Sequence, residues 1–154
     1  MISVEHVKTI NELDYSSYVI KNPNSLIYSS INFINLITKH LKAKSEWLIA
    51  KEDQKTLGIL PFVIKEGDLG PVYNSLAYYG SNGSIIQNIY HYKSKKKLVD
   101  SYYELAKENN ACSATLITNP LVKDHNFYDD NIDCTYKDYR IGQITILPKN
   151  NENL

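Results

Sequence analysis

The stretch from Trp47 to Lys65 reads W-L-I-A-K-E-D-Q-K-T-L-G-I-L-P-F-V-I-K, and after a glycine-bearing break Ser75 to Gly83 reads S-L-A-Y-Y-G-S-N-G. Two apolar, β-rich runs, Trp47 to Ala50 and Leu57 to Ile64, flank the polar residues Lys51 to Lys55. Such runs around a short polar segment predict a β-hairpin rather than a helix. A hairpin with apolar strands implies a sheet that has at least one face to cover.

Helical patterns lie on both sides of this hairpin. Apolar residues recur at helical spacing from Phe33 to Leu41, and the preceding Ser29-Ser30 can cap that helix. A second strong helix is predicted from Lys93 to Asn109, leading into a strand from Ala114 to Thr118. A helix, a short turn and a strand in this order are typical of α/β construction. Weaker patterns predict helices at Ile10 to Val19 and Val122 to Tyr128, and extended segments at Val72 to Ala77 and Cys134 to Leu147.

Length and composition indicate one globular domain. The chain has 154 residues, of which 43% are hydrophobic and 22% are charged. No apolar run approaches the ~20 residues that a membrane-spanning helix needs. The N-terminus lacks a basic segment followed by an apolar one, so no export signal is recognised and a cytoplasmic location is expected. Seventeen basic and seventeen acidic residues balance, which removes the broad positive charge that non-specific nucleic-acid binding uses.

The cysteines and histidines predict neither a disulfide nor a metal site. Cys112 and Cys134 do not form a C-x-x-C pair, and the histidines at 6, 40, 91 and 125 have no metal-ligand spacing with them. Both cysteines are therefore predicted to be reduced and to behave as small apolar residues. The large aromatics Trp47, Phe62 and Tyr73 lie on predicted strands and are expected in the core or in an interface.

Several short motifs follow one another in a distinctive order. They are S-S-x-x-F at Ser29 to Phe33, G-I-L-P-F at Gly58 to Phe62, Y-Y-G at Tyr78 to Gly80, T-N-P at Thr118 to Pro120, and R-I-G-Q-I-T-I-L-P at Arg140 to Pro148. In this order, and with the long helix before T-N-P, the chain resembles one module of the Fem-type aminoacyltransferases that build peptidoglycan cross-bridges, and of their acyltransferase-like relatives.

The resemblance implies an N-acetyltransferase-like α/β (α+β) domain with a mixed, mostly antiparallel sheet and flanking helices. Residues 1–148 would form one module of a pair that is normally present in tandem, followed by a polar tail at 149–154. The implied activity is acyl or aminoacyl transfer to the amine of a cell-envelope sugar or peptide precursor, with aminoacyl-tRNA or another acyl donor. A second module or a further copy of the chain is the implied partner.

Two positions depart from the family pattern. Ile37 stands where members that bind a nucleotide-linked peptide tend to carry a lysine. The turn Y-Y-G-S-N-G lacks the arginine that is common in the bridge-forming enzymes. Both departures remove a cation that would bind a phosphate-bearing precursor.

The turn after the hairpin is the candidate substrate site. Acyl transfer to an amine needs an acceptor for the amine proton and donors for the developing oxyanion. Tyrosine hydroxyls and the backbone amides between two glycines can supply donors, and Ser and Asn add side-chain hydrogen bonds. An ordinary surface turn uses the same residue types. The predicted substrate-binding residues are Tyr78, Tyr79, Gly80, Ser81, Asn82 and Gly83.

The residues before the long helix are less suited to an acyl-CoA donor. Ile89 to Lys97 contains no glycine, whereas a pyrophosphate-binding loop that opens a helix is rich in glycine. Its lysines can attract an anion, although a solvated helix start is the simpler interpretation. His91 can act as a base near neutral pH, or it can be structural. No catalytic residue and no bound cofactor is therefore assigned from the sequence.

Two hypotheses follow from these patterns. In the first, the chain is an acyltransferase-like module that needs a second module or partner chain for activity. In the second, it is a non-catalytic binding or scaffolding domain that keeps the sheet and groove of the fold.

Overall fold

A computed structural model describes residues 1–76, 78 and 82–139 of the chain. The chain divides into two compact units, residues 1–122 and residues 123–154. In the first unit a 3₁₀ turn, Ile27–Ser29, precedes the second helix. The described elements are β1 (Ile2–Val7), α1 (Glu12–Ile20), α2 (Ile31–Leu41), β2 (Lys44–Glu52), β3 (Lys55–Lys65), β4 (Val72–Asn74), α3 (Tyr92–Glu108), β5 (Ser113–Thr115) and, in the second unit, α4 (His125–Asn131).

The predicted hairpin is confirmed as the antiparallel pair β2 and β3. Its reversal is short because Asp53 adopts a left-handed conformation with φ 53°, which Asp tolerates better than most residues. The register shifts between Ala50 and Lys51, so Leu57 on β3 is an extra residue in the ladder. Such a bulge increases the local twist and redirects the backbone groups of the bulged strand.

The sheet is mixed, as expected for the predicted fold class. Its five strands lie in the order β1-β2-β3-β4-β5. All neighbours are antiparallel except β4 and β5, which are parallel and are connected through α3. A parallel pair needs a crossover of this kind, and a helix is its usual form.

Each face of the sheet packs on helices. The first core cluster lies on the side of α1 and α2, and the second core cluster lies on the side of α3. The predictions for Trp47, Phe62 and Tyr73 are confirmed, because all three are buried. Ile37 is also buried, on the inner face of α2. The first cluster comprises Tyr15, Val19, Ile34, Trp47, Ile49, Ile59, Val63, Leu76 and Ile86, and the second Leu48, Ala50, Leu60, Phe62, Ile64, Tyr73, Leu98, Tyr102 and Ala106.

Side-chain caps define where α1 and α2 begin. Ser30 accepts a hydrogen bond from the Phe33 amide at the start of α2, which confirms the predicted serine cap. The Asn11 carboxamide accepts from two amides at the start of α1. The left-handed Lys42 ends α2, with φ 51°.

One strand was missed, and four predicted segments differ from the structure. The strand predicted from Ala114 to Thr118 spans only Ser113–Thr115. The strand β1 was not predicted from the sequence. The strand predicted at Val72 to Ala77 ends at Asn74, because Leu76 has a positive φ that no strand can contain. The helix predicted from Val122 begins only at His125, because Val122 closes a turn on the Asn119 carbonyl. The extended segment predicted at Cys134 to Leu147 forms no strand over residues 134–139, and the rest lies outside the described residues.

In the described part of the chain, no helix combines the length and the apolar character needed to cross a bilayer. Cys112 and Cys134 are both free, and both are exposed rather than packed in a core.

Candidate functional site

The predicted substrate turn follows the end of β4. Tyr78, Asn82 and Gly83 are among the described residues, whereas Tyr79, Gly80 and Ser81 are not. Tyr78 is half-buried and packs against the first core cluster. Gly83 is buried. The substrate-binding role of the six residues stays a prediction.

A break in the pairing of β3 lies beside Pro61. Val63 pairs with Asn74, the last residue of β4, whereas Ile59 pairs with Ile86 through hydrogen bonds of 2.8 and 3.0 Å. Backbone groups of every second residue point to the same edge of a strand, so residue 61 faces this edge too. Proline has no N–H to donate there. The chain turns away from β3 after Asn74, the last residue of β4. Because residue 61 is a proline, the G-I-L-P-F motif leaves no unpaired N–H donor on β3 at that point.

Ser75 joins three segments where β4 ends. Its amide donates to the Thr115 carbonyl at 3.0 Å, and its hydroxyl accepts from the Ile117 amide at 3.0 Å. The returning segment packs directly on it, because a Cβ atom at Gly83 would lie 1.7 Å from the Ser75 carbonyl oxygen. Only glycine can make this approach. Ser75 thus fixes the closed loop that contains the predicted substrate turn.

The same loop contains two strained residues. Leu76 has φ 68° and Ser84 has φ 98°, and neither is a glycine. Both side chains are buried. Positive φ in residues with a Cβ atom costs free energy, and such residues cluster at ligand and active sites. This observation makes the loop at 75–84 the candidate functional site.

Gln87 connects the loop to β3 and to α3. Its side-chain nitrogen lies 2.8 Å from the Ser94 hydroxyl, 3.2 Å from the His91 carbonyl and 3.4 Å from the carbonyl of the bulged Leu57. Gly58 makes room for it, since a Cβ atom there would lie 3.1 Å from Gln87 Cγ. The glycine of the G-I-L-P-F motif therefore also makes room for the side chain that connects the loop to β3 and α3.

The start of α3 is capped by its own side chains. His91 Nδ1 accepts a hydrogen bond from the Ser94 amide at 3.2 Å, and the Ser94 hydroxyl donates to the His91 carbonyl at 3.0 Å. This geometry favours the structural interpretation of His91 over a role as a base. It also means that the Ser94 amide, which faces outward at a helix start, already has a partner.

The prediction of a solvated lysine cluster is wrong for Lys95. This residue is only 3% exposed, and its ammonium lies 5.7 Å from the centre of the Tyr90 ring, a cation–π distance. Lys96 pairs with Asp100 four residues later at 2.8 Å. Lys97 donates to the Ile2 carbonyl at 2.6 Å, which ties α3 to β1.

Two buried tyrosines, Tyr73 and Tyr102, lie near the end of β4. The Tyr102 hydroxyl donates to the Thr115 carbonyl at 3.0 Å. Burial raises the pKa of Tyr102 well above its usual value, and the nearby phenols of Tyr103, Tyr78 and Tyr73 raise it further. At neutral pH Tyr102 therefore stays protonated. Neutral phenols can donate a hydrogen bond or a proton, but they do not act as bases.

A pair of ionisable residues on the α3 side of the sheet was not predicted from the sequence. His6 Nε2 lies 2.5 Å from Glu46 Oε2. His6 pairs with Leu48 across β1 and β2, so Glu46, two residues before Leu48, is its diagonal neighbour on the same face. The alternation of Ile2, Val4 and the polar residues between them was the available signal for β1. With β1 recognised, the proximity of these two residues would have followed.

The fold is that of N-acetyltransferases. A probable acetyltransferase of known crystal structure superimposes with a TM-score of 0.57 and 14% identity, over 94% of this chain and 99% of that chain. The ribosomal-protein-alanine N-acetyltransferase from Brucella melitensis biovar Abortus 2308 superimposes with a TM-score of 0.56 and 14% identity, over 93% of this chain and 100% of that chain. No protein-family profile and no curated protein sequence matches the chain.

Proposed function

We propose that this chain is an acyltransferase-like module and that the loop at 75–84 binds one of the reacting molecules. The observation that carries the proposal is the strained loop at the end of β4, next to the parallel β4–β5 pair. Leu76 and Ser84 hold costly conformations there, and Gly83 contacts Ser75 so closely that no side chain is allowed. A loop that only linked β4 to α3 would need neither feature.

The chemistry that suits this loop is transfer of an acyl group to an amine. The Tyr78 hydroxyl and the backbone amides near Gly83 are donors that can stabilise an oxyanion. The neutral Tyr102 phenol lies close enough to Tyr78 for the charge of one to affect the pKa of the other. A proton acceptor for the amine is not identified among the tyrosines, so a water chain or a group on a partner is needed.

The proposed acceptor is the amine of a cell-envelope sugar or peptide precursor. This part of the proposal rests on the resemblance to Fem-type enzymes in the motifs at Ser29 to Phe33 and Gly58 to Phe62. Both motifs also have structural roles, because Ser30 caps α2 and Gly58 makes room for Gln87. By the same resemblance, the donor is aminoacyl-tRNA or another acyl donor, and a second module or copy completes the activity.

A second candidate function is non-catalytic binding. The observation that favours it is the cap of α3, where the His91 ring occupies the Ser94 amide that a phosphate would otherwise bind. A module without a phosphate site at this helix can still bind an amino sugar or peptide in the loop. It would then act as a scaffold for a partner that performs the transfer.

The decisive experiment combines binding and turnover. The purified chain is titrated by calorimetry with aminoacyl-tRNA, acetyl-CoA and nucleotide-linked amino sugars, and acyl transfer to the amine is followed by mass spectrometry. Transfer supports the enzymatic proposal. Binding of an amino sugar without transfer supports the scaffold, and a folded chain that binds none of these compounds contradicts both functions.

A matched pair of variants tests the site itself. Tyr78→Phe removes the candidate donor and should lower transfer by roughly 100-fold, the usual effect of losing one oxyanion donor. Tyr136→Phe changes an exposed tyrosine of the second unit and should leave transfer unchanged. Equal activity of the two variants would exclude a role for the Tyr78 hydroxyl.

A further inference from the structure

The sequence has a single asparagine–glycine pair, and this pair lies in the loop at 75–84. It is Asn82-Gly83, and each of the other asparagines is followed by a residue that has a side chain. Asn82 is half-buried, whereas Gly83 and Ser84 are buried. A partly exposed asparagine is thus joined directly to a packed glycine.

An asparagine that precedes a glycine can lose its side-chain nitrogen without an enzyme. The backbone nitrogen of Gly83 attacks the carboxamide carbon of Asn82 and gives up its proton, and ammonia leaves as the new C–N bond closes a succinimide ring. Water then opens the ring at either carbonyl, which gives aspartate or isoaspartate. Glycine favours the first step because it has no Cβ atom to hinder the approach of the two groups. Water is the only co-reactant.

The tertiary structure requires a glycine at this position. A Cβ atom at Gly83 would lie 1.7 Å from the Ser75 carbonyl oxygen and 3.0 Å from Leu76 Cβ. Any other residue at 83 would therefore force the backbone to move. The packing that closes the loop thus also keeps the reactive pair in the chain.

The same packing restrains the reaction. Ring closure fixes the backbone of Asn82 in the narrow geometry of a five-membered ring and moves Gly83 with it. The contact with Ser75 opposes this movement while the loop is closed. The positive φ values of Leu76 and Ser84 cost free energy that opening of the loop releases. Deamidation is therefore expected from molecules in which the loop is open.

The two products change the loop to different extents. In isoaspartate the main chain runs through the Cβ atom of residue 82, which adds one methylene group to the backbone immediately before Gly83. The contact between Gly83 and Ser75 has no space for a backbone that is shifted in this way. Aspartate keeps the original backbone and adds only a negative charge.

We propose that Asn82 is a site of spontaneous modification, that the closed loop slows its deamidation, and that the isoaspartate product prevents the loop from closing on Ser75. This inference rests on the packing of the loop and not on the proposed acyl transfer. It can therefore be tested without a substrate, and its failure would leave the proposed function untouched.

The test compares the folded full chain with the chain in urea during prolonged incubation at mildly alkaline pH. Peptide mass spectrometry measures the conversion of each asparagine, and chromatography separates aspartate from isoaspartate peptides. We expect Asn82 to convert ahead of every other asparagine in both samples. Its conversion should be at least about tenfold slower in the folded chain, because only open molecules react. Equal rates in the two samples, or no detectable conversion of Asn82 in the folded chain, would overturn the proposal.

Two serine variants test whether the loop controls the rate. Ser75→Ala removes the hydroxyl that accepts a hydrogen bond from the Ile117 amide. It should speed deamidation of the folded chain about tenfold and leave the rate in urea unchanged. Ser101→Ala, in α3, is the matched control and should change neither rate. A folded Ser75→Ala chain that reacts at the wild-type rate would contradict control by the loop.

The Asn82→Asp variant separates the effect of the lengthened backbone from that of the charge. The Ile86 amide donates to the Ile59 carbonyl at 2.8 Å and reports on the closed loop. Its hydrogen exchange should be at least about tenfold faster in the purified isoaspartate chain, whereas Asn82→Asp should exchange like the wild type. Equal exchange in these two proteins would contradict the proposed block of loop closure.

Discussion

The β2–β3 hairpin and the segment from Ser75 to His91 are held by different kinds of interaction. The hairpin pairs from Lys44–Ile64 to Glu52–Lys55 through backbone hydrogen bonds, and it is buried on both faces. Among the described residues of the segment after β4, one bridge, Ile59–Ile86, replaces a ladder. The Ser75 amide donates to the Thr115 carbonyl, and further connections use the side chains of Ser75 and Gln87. Regions with few regular hydrogen bonds open at lower free energy. The hairpin thus gives the fold its stability, and the segment is available for a site.

The largest expected effect is in the hairpin. Phe62 is fully buried and contacts the rings of Tyr73 and Tyr102, with centres 5.7 and 5.4 Å away. Phe62→Ala should lower the free energy of unfolding by about 3–5 kcal/mol, because it leaves a cavity in the second core cluster. Urea unfolding followed by circular dichroism measures this loss. Leu69→Ala is the control, since Leu69 is 88% exposed. An equal loss of unfolding free energy in both variants would contradict the conclusion that the hairpin gives the fold its stability.

A smaller loss is expected where the segment packs on Ser75. Gly83→Ala places a methyl group 1.7 Å from the Ser75 carbonyl oxygen, so the backbone must move. The free energy of unfolding should fall by about 1–3 kcal/mol. Hydrogen exchange should accelerate at the Ile86 amide more than in the β2–β3 ladder. Gly67→Ala, in an exposed turn, is the matched control; faster exchange across the whole ladder would show that the segment is not an independent region.

Tyr15 gives a prediction about pH. Its hydroxyl donates to the Ser29 carbonyl at 2.7 Å, and burial raises its pKa far above the usual value of about 10. Tyr15→Phe should cost about 1–2 kcal/mol at neutral pH, because the buried carbonyl loses its donor.

The sign of the pH dependence follows from that raised pKa. The neutral phenol is favoured in the folded chain, so its stabilisation is complete below about pH 10 and is lost as the pH rises towards the folded-state pKa. The difference between wild type and Tyr15→Phe should therefore shrink above about pH 10. Urea unfolding at a series of alkaline pH values measures it, with the exposed Tyr136→Phe as control. A difference in unfolding free energy that stays constant across this pH range would contradict the prediction.

The smallest effect is expected at Gln87. Gln87→Ala removes the amide that reaches Leu57, His91 and Ser94, and solvent can replace part of this contact because the side chain is half-buried. We expect a loss of about 1 kcal/mol in the free energy of unfolding. Hydrogen exchange at Ser94 and Lys95 should rise while the hairpin amides stay protected. Unchanged exchange at the start of α3 would mean that His91 alone defines this helix end.

The sequence predicted the regular elements well where a strong pattern ran over many residues. The hairpin, α2 and α3 have long apolar periodicities, α2 also has a recognisable serine cap, and all three are confirmed. The strand β1 was missed because only Ile2, Val4 and Val7 are apolar in a strand that lies at the sheet edge. An edge strand is defined by its partner, and the register with β2 is not contained in its own six residues.

The candidate site was predicted only in outline. The glycines and tyrosines of the turn indicated a position after a strand, and Tyr78 and Gly83 do follow β4. The positive φ of Leu76 and Ser84, and the contact between Gly83 and Ser75, have no sequence signal, since they result from closure of the loop on a residue eight positions earlier.

The sequence by itself determined the α/β class, the hairpin and the two main helices, because hydrophobic periodicity and capping are local properties. It also supplied the proline and the glycine of G-I-L-P-F. The proline has no N–H donor, which allows the chain to turn away from β3, and the glycine has no side chain, which makes room for Gln87. Only the tertiary structure decided that Ser75 joins β4, β5 and the returning loop, and that His6 lies against Glu46. These contacts join residues up to about forty positions apart, and their geometry depends on strand order and register rather than on any local pattern.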